Sequence, residues 1–261
     1  MNSFDLLKDL CIACDHDNFK KLFEINNFYS DIESNDLIWT AITNRNTEIL
    51  FYLLKRGFGI SGEQIARAVC YCPMEISLIK SLLEKEIDPM YNSIIISHYV
   101  RGGNDEVIEI LLKKGADPNG LINGDGLIIN KCKRLIDYCI CYGGISTCKL
   151  LLSSGADPSL DNSNCLSLAF QWACMNRNTS ENIIKLLLNY GANPLVITKD
   201  DLAVLIKSNP KLSLINFLIE YGFDLTMINT LKFTSSAKDD VFVRLLEIGI
   251  DPVILARLCG N

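Results

Sequence analysis

A short phrase recurs along this chain and constrains its fold more than any other feature. It reads Leu111-Leu112-Lys113-Lys114-Gly115-Ala116-Asp117-Pro118, then Leu151-Leu152-Ser153-Ser154-Gly155-Ala156-Asp157-Pro158, then Leu187-Leu188-Asn189-Tyr190-Gly191-Ala192-Asn193-Pro194. Weaker copies centre on Gly57, Glu86, Gly222 and Gly249, and a decayed first copy ends near Asn26. Self-similarity at a period near thirty residues marks a repeat architecture: no unit buries its apolar side alone, so neighbours must stack.

The phrase has a physical reading. Val107, Ile108, Ile110, Leu111 and Leu112 recur at helical spacing and make one apolar face. The glycine supplies a left-handed cap that ends the helix. Asp-Pro cannot continue a helix and opens a turn. Upstream of each such helix lies a shorter apolar run, as in Leu37-Ile38-Trp39-Thr40-Ala41-Ile42, Cys165-Leu166-Ser167-Leu168-Ala169-Phe170 and Leu202-Ala203-Val204-Leu205-Ile206. The expected unit is a short helix, a tight turn, a longer helix and a loop. The expected fold is all-α, about eight stacked units forming one domain over residues 1–261 as an elongated, curved solenoid.

Composition narrows the function. Hydrophobic residues at 49% and charged residues at 21% allow a sizeable core. No run of eighteen apolar residues is present, so no membrane-spanning helix is expected, and the early Asp5 argues against a secretory signal. A net charge of -6 argues against nucleic acid as a partner, and the small basic cluster Lys131, Lys133 and Arg134 does not reverse that. Eleven cysteines fall below the density of a disulfide scaffold. Cys139, Cys141, Cys148, Cys165 and Cys174 lie within apolar patterns, and reduced thiols in a cytoplasmic or nuclear protein are expected.

The run Gly103-Asn104-Asp105-Glu106-Val107-Ile108-Glu109-Ile110-Leu111-Leu112-Lys113-Lys114-Gly115-Ala116-Asp117 resembles the second helix and cap of an ankyrin repeat. The family's Thr-Pro-Leu-His opening is missing throughout; its histidine position aligns with Trp39, Ala66, Ser97, Asp137, Ser167 and Ala203. The irregular, Asn- and Ile-rich units are similar to the ankyrin proteins of large DNA viruses. Some viral members carry a C-terminal box that recruits a ubiquitin ligase, for which Asp251 to Asn261 is expected to leave no room. The resemblance implies a module that binds a protein partner through a concave groove and loop tips, is monomeric when free, and acts in a cell that such a virus infects. It also implies no enzymatic activity and no cofactor.

By that resemblance the groove is lined by Thr43 and Asn44, Arg101 and Gly102, Cys141 and Tyr142, Gln171 and Trp172, and Lys207 and Ser208. Arginine and aromatic residues dominate binding energy at interfaces, which singles out Arg101, Tyr142 and Trp172. The competing role for Trp172 is to fill space in an irregular repeat. The Gly115 to Gly155 interval is 40 residues, against about 33 for an ankyrin repeat. Its excess falls between Pro118 and Arg134, where Leu121-Ile122 and Leu127-Ile128-Ile129 flank Asn-Gly-Asp-Gly. That pattern predicts a β-hairpin finger, with Leu121 and Ile128 as contact residues.

Other chemistry is weakly supported. His16 and His98 are far apart in sequence, and His98 is expected to be a core residue. No phosphate-binding Gly-x-x-x-x-Gly-Lys-Ser/Thr occurs. Cys11, Cys14 and His16 could begin a metal site, but no second ligand pair follows, so Cys11 and Cys14 are expected to pack in a helix. A Cys-rich metal protein or enzyme, and a structural subunit of a larger assembly, are the alternatives to an interaction module.

Overall fold

The copies of the phrase at Gly57, Gly115, Gly155, Gly191, Gly222 and Gly249 end their helices in the same way. Ala116 N donates to Leu111 O at 3.0 Å and Gly115 N to Leu112 O at 3.0 Å. The pattern repeats as Ala156 to Leu151, Ala192 to Leu187, Phe223 to Leu218 and Ile250 to Leu245. This is the double hydrogen bond of a Schellman cap, which needs one left-handed residue. Gly115 and Gly155 supply it with φ of +86° and +99°. The acid of the phrase also has a fixed task. Asp88, Asp117, Asp157, Asn193 and Asp224 each accept a hydrogen bond on the side chain from the backbone N–H two residues on. Such Asx turns redirect the chain out of the helix, and proline after the acid is compatible because the donor lies one residue further on.

The computed structural model describes residues 3–25, 31–85, 87–121, 132–172, 177–207, 210–226 and 239–251. Its helices are α1 (Ser3–Ile12), α2 (His16–Ile25), α3 (Asp31–Thr43), α4 (Thr47–Lys55), α5 (Gly62–Tyr71), α6 (Ile76–Leu83), α7 (Pro89–Gly102) and α8 (Asp105–Lys113). Then come α9 (Leu135–Tyr138) running into a π-turn (Cys139–Gly143), α10 (Gly144–Ser153), α11 (Leu160–Trp172), α12 (Arg177–Asn189), α13 (Lys199–Lys207), α14 (Leu212–Glu220) and α15 (Asp239–Glu247). Among the described residues there is no strand, only one isolated bridge between Leu121 and Arg134. The fold class is all-α, as the repeat phrase implies.

The chain divides into two compact units, Met1–Tyr99 with Glu106–Ala116, and Val100–Asp105 with Asp117–Asn261. In the first, α1, α3 and α5 pack in succession and α2 packs on α4. Leu7, Phe19, Leu37, Ile38, Ile49, Leu50 and Leu53 are fully buried there. Each such side chain contributes roughly 1.5–3 kcal/mol over an exposed one. Asn46 fastens two repeats: it caps α4 by accepting from Ile49 N at 3.1 Å and donates to Cys11 O at 3.1 Å. In the second unit α11 packs on α12 and α13, and α12 on both α10 and α14. Asn119 makes the matching tie between loops, donating to Gly155 O and accepting from Asp157 N.

Several expectations need correction. The left-handed residue of the turn that follows Cys139–Gly143 is Gly144 (φ +80°), where glycine is at ease. The first two inner turns place Cys14 and Arg45 in the left-handed region without glycine. Cys14 therefore lies beyond the end of α1 and is exposed, while Cys11 alone packs in the core. His98 is exposed rather than buried, its ring resting 6.2 Å from Tyr71 and 5.4 Å from Tyr99. Cys139 and Cys148, expected as thiols, are joined in a disulfide; both are fully buried where the π-turn meets α10, so their sulfurs face one another. The remaining described cysteines are free.

Candidate functional site

Three of the groove residues named from the sequence meet in the second unit. Arg101 lies in the last turn of α7, two residues before the left-handed Gly103. Tyr142 lies in the π-turn, two residues before the left-handed Gly144. The two residues thus hold the same position in successive repeats, and stacking brings them together. The Arg101 guanidinium sits 5.8 Å from the Tyr142 ring centroid. Trp172 ends α11 and meets Tyr142 edge-on at 6.2 Å with 61° between ring planes. Tyr138, one helical turn before Tyr142 and buried, supports it from behind at 5.5 Å. The result is a ladder of one cation and two half-buried rings across three inner helices, with Arg101 exposed.

The electrostatics fit an aromatic surface rather than a reactive one. Partial burial raises the Tyr142 hydroxyl above its ordinary value, the neighbouring Cys141, Cys132 and Tyr138 add to this, and the Arg101 charge opposes it. Gln171, also expected in the groove, is committed elsewhere. Its Nε2 donates to Ser167 Oγ and Asp201 Oδ1, both at 3.1 Å. Asp201 in turn accepts from Thr198 N and Oγ1. Buried and multiply bonded, it ties α11 to α13.

That network shows where the sequence alignment slipped. Ser61 and Gln64 form a capping box at the start of α5. Asp137 accepts from the N–H groups of Lys133 and Arg134, and Asp201 holds Thr198 in the same way. Gln64, Asp137 and Asp201 are therefore equivalent, each the third residue of its repeat's first helix. Ala66 and Ala203, aligned with Asp137 from sequence, lie two residues too far along. Polar capping fixes the register here, and an apolar-pattern alignment does not see it.

Thr43 and Asn44 hydrogen-bond to the end of α3, donating to Trp39 O and Thr40 O. Lys207 is the last residue of α13, and its side chain lies outside the described residues, as does Ser208. Leu121 is exposed and bridges Arg134, while Leu135 N donates to Gly120 O at 3.2 Å. The insertion is thus drawn together at its base. Ile128 and the expected hairpin fall outside the described residues. Arg134 and Tyr142 stand at opposite ends of the same inner helix, roughly 12 Å apart along its axis at the α-helical rise.

Among the described residues, no three of His, Cys, Asp and Glu converge to hold a metal ion. His16 Nδ1 instead pairs with Glu48 at 2.7 Å. The first unit has an open cleft between α4 and α6, lined by Phe51, Pro73 and Leu78 with Glu48 on its rim. Thr47, Glu75, Ser77 and Ser81 also line it. No helix is long and apolar enough to cross a membrane among the described residues.

Comparison with known proteins adds two findings. A family model described as ankyrin repeat matches residues 96–123. An ankyrin repeat protein of Acanthamoeba polyphaga mimivirus is 26% identical over 123 residues, covering 47% of this chain. The match spans 39% of that relative's length.

Proposed function

Because this chain carries ankyrin repeats similar to those of a large DNA virus protein, we propose that it is a protein-interaction module whose contact surface is the Arg101–Tyr142–Trp172 ladder. Ankyrin repeats generally mediate protein–protein contacts, and they are typically not enzymes. The observation that carries the reading is the convergence of these three residues from three successive inner helices. A guanidinium drawn to an aromatic face loses less side-chain freedom on binding than one free in solvent. Two half-buried rings offer apolar area beside the charge. Lys207 and the insertion residues Leu121 and Ile128 extend the proposed surface at its margins. The partner is a protein of the host cell, met in the cytoplasm or nucleus during infection, and the chain acts as a monomer without a cofactor.

The test uses the full chain as bait in host-cell extract, wild type beside the Arg101→Ala/Trp172→Ala double variant. Proteins retained by wild type and lost from a folded double variant are purified and titrated directly. A loss of affinity of tenfold or more in the double variant supports the ladder. Equal affinity of both forms for every retained protein removes the ladder from the contact surface.

A further inference from the structure

Two cysteine pairs share one stretch of backbone in the second unit. Cys139 and Cys148 are already joined, with their Cα atoms 5.5 Å apart. Two residues on from Cys139, Cys141 turns to the other side of the helix and brings its sulfur to 3.3 Å from that of Cys132. Cys132 is buried, and Cys141 is half-buried beside Tyr142. Both are free thiols. We propose that Cys132 and Cys141 form an oxidative modification site, a dithiol that small hydroperoxides convert to an intramolecular disulfide.

Three observations support the assignment. The sulfurs are in contact before oxidation, so closing the bond needs only a small approach and a side-chain rotation. Cys141 is only half-buried, so the pair is not sealed from a small peroxide. The two sulfurs also share a hydrogen bond, and it holds the Cys132 thiol below its ordinary value. The same hydrogen bond, and then burial, pushes Cys141 up. The thiolate is the nucleophile in such oxidations. By contrast, burial pushes Cys11, Cys70 and Cys165 up to about 12, so they remain protonated at neutral pH.

The chemistry balances with a hydroperoxide as oxidant. The Cys132 thiolate attacks one peroxide oxygen, the O–O bond breaks, and the leaving hydroxide takes up a proton to become water. Cys132 is then a sulfenic acid. The Cys141 sulfur attacks the Cys132 sulfur, the S–O bond breaks, and the second water leaves with the Cys141 proton. Two electrons pass from the two sulfurs to the peroxide, and a dithiol reductant reverses the change. This inference does not depend on which partner the ladder binds.

The experiment treats the full chain with hydrogen peroxide at a molar equivalent, digests it with trypsin without reduction, and maps disulfides by mass spectrometry. The intact mass should fall by two hydrogens. The Cys132-Lys133 dipeptide should appear linked to the Leu135–Lys149 peptide, which keeps its internal Cys139–Cys148 bond. Cys141→Ser should abolish the link and leave Cys132 as a sulfenic acid that dimedone traps, and Cys14→Ser should leave the link intact. The proposal is overturned if Cys132 stays reduced under peroxide that oxidises Cys14. It is equally overturned if Cys132 is recovered joined to any cysteine other than Cys141.

Discussion

Replacing Trp172 with alanine separates a surface ladder from a core. The ring is half-buried, ends its helix, and meets the Tyr142 ring at 6.2 Å. A tryptophan packed on all sides costs about 3–5 kcal/mol when cut to alanine. Half of that burial gives about 1.5–2.5 kcal/mol, within which the edge-to-face pair supplies roughly 0.5–1.5 kcal/mol. Urea unfolding followed by far-ultraviolet circular dichroism measures the loss. A double-mutant cycle with Tyr142→Ala should return a coupling of about 0.5–1.5 kcal/mol. Trp39 is the other tryptophan in the chain, so a Trp39→Phe background makes fluorescence report on Trp172 alone. A loss above about 3 kcal/mol would make the ring a core element and refute the surface reading. Additivity within roughly 0.3 kcal/mol would mean that the two rings do not touch in solution.

Gly191→Ala should cost about 1 kcal/mol in the same assay: a Cβ there meets nothing within 4 Å, so only the left-handed backbone is strained. A loss of several kcal/mol would imply a contact that the cap geometry does not contain. Asn46→Ala should cost about 2 kcal/mol, because it removes the α4 cap and one of the two hydrogen bonds that Cys11 O accepts; thermal unfolding unchanged from wild type would refute the tie. Burial first, and Asp161 to a smaller degree, raises Asp137 above the ordinary carboxylate value against the lowering effect of its hydrogen bonds. A raised acid binds its proton more tightly when folded, so its penalty is full above the folded value and fades as pH falls towards the unfolded one. Asp137→Asn keeps the acceptor for Lys133 and Arg134, and its stability advantage over wild type should shrink as pH falls through that window. An advantage that grows on acidification would show the shift has the opposite sign.

The repeat phrase carried the local structure because each of its residues acts on its own neighbours. Leucines at helical spacing, a glycine that caps and an acid that folds the turn are short-range instructions, and the structure places them as the sequence implies at Gly115, Gly155 and Gly191. Arg101, Tyr142 and Trp172 were legible as residue types at one position of a repeat. Their contact was not, because it spans 30 to 41 residues of chain and depends on how successive units stack. Tyr138 behind Tyr142 had a visible signal in its i, i+4 spacing. The Cys132–Cys141 contact had none, since it depends on a π-turn that alters which way Cys141 faces. His98 went the other way: an apolar sequence surrounding suggested burial, yet its side of α7 is left uncovered. The sequence by itself determined the helices, their caps and the need to stack. Only the tertiary structure decided which side chains meet across the stack, because those meetings are set by packing between units that share no local sequence.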